Sequence, residues 1–195
     1  MNLKWTAVGA LCLLAAQSQA QEGAFGFQMG AKPEAFPGCK KAAGSLYVCS
    51  TVPKPHPDFT EYAILAPAQI GICVVTARVA AIDNSSFGDK ARSKAGEIAD
   101  QISRNYGAAR AIDTLKPGSI WSKPNDWLMG ISVGERRYAF YWHQNTGATM
   151  KNDVEFVSLE VEAANRNVAD LQLRFQFRNI VECREAIAKE NASSF

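Results

Sequence analysis

From Val154 to Arg178 the chain changes character at every second residue. In VEFVSLEVEA, Val157, Leu159, Val161 and Ala163 share one side. In DLQLRFQFR, Leu171, Leu173, Phe175 and Phe177 share one side, and Gln172, Arg174, Gln176 and Arg178 the other. A period of two puts successive side chains on opposite faces of a strand, so both segments read as strands with one wet face. Asn165-Arg166-Asn167 lies between them and closes a hairpin. Both apolar sets are odd-numbered, which leaves only alternate registers open. One sets Glu160 opposite Arg174. The next sets Glu162 opposite Asp170, with like charges facing, so the first is expected.

A sheet with one wet face needs cover on the other. LYVCSTV (Leu46 to Val52), Phe59 to Leu65 and Ile70 to Ile82 supply further strands by their β-branched and aromatic content. Pro53, Pro55 and Pro57 rule out a central strand between the first two. GAFGFQMG, residues 23–30, reads as a short strand-like opening, and Lys32 to Phe36 as one helical turn. The clearest helix runs from Phe87 to Tyr106, where Phe87, Ala91, Ala95, Ile98, Ile102 and Tyr106 draw one apolar stripe. Ser86 with Asp89 three positions on fits a capping box, and Gly107 supplies the stop. Lys90, Arg92 and Lys94 read as a solvated helix face. Val181 to Glu190 is a terminal helix. The fold class is therefore α+β: antiparallel sheet with helices packed on one face. FQMG ending at Gly30 and WLMG ending at Gly130 hint at two similar halves.

The first twenty residues read as a secretory signal peptide. A basic start at Lys4 precedes an apolar run from Ala7 to Ala16, and Ser18-Gln19-Ala20 gives a small-x-small end. That run is too short to span a bilayer, which takes about 20 apolar residues. Cys12 lies inside it behind the bulky Leu11, which argues against lipidation. Residues 21–195 then form a single exported domain, periplasmic or secreted, with no membrane span. The chain carries 21 Lys and Arg against 19 Asp and Glu, and Lys4 leaves with the leader. So balanced a charge speaks against a nucleic-acid partner. Cys39, Cys49, Cys73 and Cys183 remain. An even number in an exported chain points to two disulfides, with three pairings open. Cys39 and Cys49 flank the Gly44-Ser45 turn, which favours a local bridge and leaves Cys73 with Cys183. No Cys or His spacing suits a metal, and no cofactor fingerprint is present.

The chemistry is sparse. No Gly-x-Ser-x-Gly, His-Glu-x-x-His or phosphate loop occurs. His56 falls in the proline-rich connection and reads as an exposed loop residue. Around SIWSKPNDWLMGI, Pro117-Gly118 and Pro124-Asn125 are turns, and Asn125 or Asp126 can cap a short helix over Trp127 to Val133. RRYAFYWH follows. As a strand it puts Tyr138, Phe140 and Trp142 on a core face and Arg137, Ala139, Tyr141 and His143 on the other. A cation, a phenol and an imidazole in one row suit an anionic or aromatic group. Arg137, Tyr141, His143 and the isolated Trp121 are the candidate contact residues. Trp127 and Trp142 are expected in the core.

FGFQMG, GICVVTA, SSFGDKARS, RNYG and GSIWSKPNDWLMGI with ERRYAFYW together resemble a family of small exported bacterial proteins of unassigned function. The resemblance covers most of the chain after the leader and implies no activity. It implies that Trp121, Pro124, Trp127 and Trp142 belong to the fold itself. Three functions compete: a binding or inhibitor-like module that meets another protein through an exposed sheet face; a small periplasmic enzyme with a polar pocket near Arg137, Tyr141 and His143; and an accessory protein that contacts a cell-envelope component. The absence of a catalytic signature leans away from the enzyme.

Overall fold

The computed structural model describes residues 23–83 and 85–192, so the leader, Cys12 and the cleavage point lie outside the described residues. Eight strands form one antiparallel sheet: β1 (Cys39–Ala43), β2 (Leu46–Cys49), β3 (Glu61–Leu65), β4 (Val74–Asp83), β5 (Arg110–Leu115), β6 (Arg136–Trp142), β7 (Val154–Ala163) and β8 (Val168–Phe177). Their order is β1-β2-β3-β4-β8-β7-β6-β5. Two four-strand meanders thus meet at β4 and β8 in the centre. Helix α1 (Asp89–Tyr106) follows the first meander and α3 (Ile180–Ala192) the second, with the short α2 (Trp127–Ser132) between β5 and β6. None of the helices described is long and apolar enough to cross a membrane.

One face of the sheet carries the main core. Tyr62, Ile64, Val75, Ala77, Leu171 and Leu173 lie under the buried stripe of α1, which is Ala91, Ala95, Ile98, Ala99, Ile102 and Tyr106. Trp127 and Leu128 of α2 join the same core. The helices nevertheless divide between the two faces. Val74 neighbours Val75 on β4 and so points the other way, and it packs with Ile180 and Cys183 of α3. The Cys73–Cys183 disulfide holds α3 there, and Cys39–Cys49 links directly opposed residues of β1 and β2. Both pairs are those expected. Two disulfides are typical of extracellular proteins.

The hairpin register differs from the expectation. Ser158 faces Arg174, Glu160 faces Gln172 and Glu162 faces Asp170. Each of the two facing carboxylates has other partners. Asp170 accepts from the Arg78 guanidinium and from the Ala81 backbone N–H, and Glu162 accepts from the Gln172 amide at 3.2 Å. Asn165 Oδ1 accepts from the backbone of Asn167 and Val168, which tightens the turn. Arg78 of β4 thus offsets the Asp170 charge, which removes the penalty of this register.

Other local expectations also shift. Helix α1 starts at Asp89 behind Gly88, held at φ 71°, and Phe87 is left 43% exposed before it. Ser86 makes no cap; its carbonyl accepts from the Leu128 N–H instead, and Ser85 donates to Asp89. Neither Asn125 nor Asp126 caps α2 with its side chain; a 3-10 turn over Pro124–Asp126 leads into it. GAFGFQMG is no strand. It forms a 3-10 turn, Ala24–Gly26, with Phe25 at φ 53°. The Gly30 N–H then donates to Ile72 and the Ile72 N–H to Ala31, clamping this segment to the approach of β4.

Candidate functional site

The sheet face opposite α1 holds the predicted row. On β6, Arg137 forks onto Glu160 of β7, with Nη2 at 3.0 and 3.2 Å from the two carboxylate oxygens. The Tyr141 hydroxyl donates to the same carboxylate at 3.2 Å. The Arg137 guanidinium stands 5.3 Å over the Tyr141 ring. Tyr141 stacks on Phe156 at 5.7 Å, and the His143 ring lies 6.2 Å beyond. Arg137, Tyr141, Phe156 and His143 are therefore one continuous ladder with Glu160 at its side.

Its members are not equally open. The Arg137 side chain is 59% exposed, whereas Tyr141 is only 9% exposed, beneath its neighbours. Tyr141 is a support, not the exposed contact that strand parity alone suggests. His143 lies just past β6, and its Nδ1 accepts from the Asn145 N–H, capping the turn Gln144–Thr146. That bond places the proton of a neutral ring on Nε2. Trp121 does not join the ladder. It is half-buried, and its Cβ lies on the side of Gly130 in α2. Trp127 and Trp142 are buried as expected, at 4% and 0% exposure.

Phe156 shares the wet face of β7 with Ser158 and Glu160, so alternation within β7 does not mark it as a contact. The irregularity between Val154 and Phe156 affects Val154 instead, which turns fully inward although its parity is that of the wet face. Arg174, central on the same face, has a buried Nε with no partner among the described residues. Burial and the nearby Arg184 both hold its pKa below the usual arginine range.

Burial, reinforced by the Glu160 charge, pushes the Tyr141 phenol up to about 12. The folded phenol stays neutral where an unfolded tyrosine, at about 10, already ionises. Its contribution to stability is therefore complete below pH 10 and lost as pH climbs toward 12. Alkaline unfolding curves of the wild type should fall across that window, and Tyr141→Phe should flatten the fall.

A second concavity lies on the α1 side, between the Ala24–Gly26 turn, α1 and β8. His56, expected to be an exposed loop residue, is built into its wall. Its Nδ1 accepts from the Asp58 N–H and its Nε2 meets Gln101 Oε1 of α1 at 2.9 Å. Its backbone N–H donates to the Tyr62 hydroxyl. Among the described residues, no group of three or more His, Cys, Asp and Glu is placed to hold a metal ion. No protein-family model, curated protein or solved structure matches the chain, so no activity carries over from a relative.

Proposed function

We propose that this chain is an exported binding module that meets a protein or cell-envelope component through the open sheet face of β6 and β7. The observation that supports it most is the ladder of Arg137, Tyr141, Phe156 and His143. A stacked aromatic pair with a cation at one end and an imidazole donor at the other suits aromatic and carboxylate groups of a partner. The two meanders, each followed by a helix, fit the reading of two similar halves, with the ladder in the second. The enzyme reading gains less. A phenol at about 12 is a poor proton acceptor near neutrality.

The test compares capture with stability. Arg137→Ala should leave stability within about 1 kcal/mol, because exposed ion pairs contribute little. The same variant should lose most capture of a partner from an envelope extract, as should Phe156→Ala. Equal capture by wild type and both variants would sink the proposal.

A further inference from the structure

We infer that the pocket between the N-terminal turn and α1 binds a small aryl carboxylate, at a site separate from the sheet face above. The pocket encloses about 350 Å³, which lies within the ordinary range for small-molecule sites. Its apolar part comes from Phe25, Phe59, Tyr106, Phe175, Ile102 and Leu173. The rings meet edge to face: Phe25 lies 5.7 Å from Phe59, 5.1 Å from Tyr62 and 5.8 Å from Phe175. Such a box offers ring faces and edges in several directions, which favours a flat aromatic body.

The rim carries one cation. Among the described residues no Asp or Glu lines the pocket; its polar members are His56, Gln101, Asn105, Lys151 and Asn152. His56 Nδ1 accepts from the Asp58 N–H, so its neutral ring carries the proton on Nε2 and donates to Gln101 Oε1. That contact takes the Gln101 carbonyl and leaves its amide nitrogen as a donor at the rim. Lys151 sits 5.8 Å over the Tyr106 ring and makes no ion pair among the described residues. A cation and amide donors above aromatic walls match a carboxylate on an aromatic ring.

The backbone is strained at one place around this pocket. Phe25 sits at φ 53°, a conformation costly for a bulky side chain, and such residues cluster at ligand clamps. It stands in the aromatic wall.

The experiment titrates the disulfide-bonded chain with 2-naphthoate, its neutral analogue 2-naphthalenemethanol, and decanoate, by calorimetry. The inference expects 2-naphthoate to bind with Kd below about 1 mM and more tightly than either other probe. Lys151 is exposed, so Lys151→Met should fold normally. It should weaken 2-naphthoate about fivefold or more and leave 2-naphthalenemethanol unchanged. No binding of 2-naphthoate overturns the site. Equal affinity of wild type and Lys151→Met overturns the carboxylate, and tighter decanoate binding overturns the aromatic body.

Discussion

Trp142→Ala should cost about 3–5 kcal/mol of stability, in line with deletion of a large core aromatic. Trp142 is fully buried at the end of β6. Its indole N–H donates to the Gly107 carbonyl at 3.1 Å, with the Ser103 hydroxyl at 3.3 Å. One side chain thus fills the core and fastens the end of α1 to the second meander. Trp142→Phe separates the two roles. It keeps most of the packing, loses the hydrogen bond and leaves the Gly107 carbonyl short of a donor, so its cost should be nearer 1–3 kcal/mol. Urea melts of both variants read the difference. An alanine variant within about 1 kcal/mol of wild type would contradict the placement of Trp142 in the core.

Gly71→Ala should be comparably damaging, at about 3 kcal/mol or more. Gly71 sits at φ 80°, which an L side chain rarely adopts, and a Cβ there would lie within van der Waals overlap of the Gly30 carbonyl and near Ala31. Those atoms are backbone, already fixed by the reciprocal bonds of Gly30 and Ala31 with Ile72. They cannot swing aside as a flexible side chain would. Gly118→Ala is the control. It has a similar φ of 79° with open space around it, so only the conformational strain of about 1 kcal/mol remains. Thermal or urea melts should separate the two alanine variants clearly.

Much of this architecture is legible in the sequence where burial is one-sided. The alternation of Leu171, Leu173, Phe175 and Phe177 and the stripe from Ala91 to Tyr106 are set by which side meets the core, and both appear as read. The edge strands β1 and β5 are not legible. Lys40, Lys41, Arg110 and Ala111 are exposed at the rims of the sheet, so no alternation marks them. The hairpin register is not legible for a related reason. Asp170 is neutralised by Arg78, which lies far away in sequence on β4.

The candidate sites divide the same way. Strand parity links Arg137 and Tyr141 on β6. Phe156 is contributed by the neighbouring strand past an irregularity, and only pairing of β6 with β7 brings it onto the Tyr141 ring. The pocket is harder still. Phe25, His56, Gln101, Lys151 and Phe175 come from five separate stretches, and no local spacing announces their meeting.

The central claim, that the β6–β7 face meets a partner, is tested most directly by an aromatic photo-crosslinking residue placed at position 156, where it keeps a ring beside Tyr141. The control carries it at position 120, where Ile120 is 76% exposed outside the ladder. Irradiated in the envelope extract used for capture, the first protein should give a discrete adduct that Arg137→Ala abolishes, and the second should not. No adduct at position 156, or the same adduct from position 120, would contradict the claim.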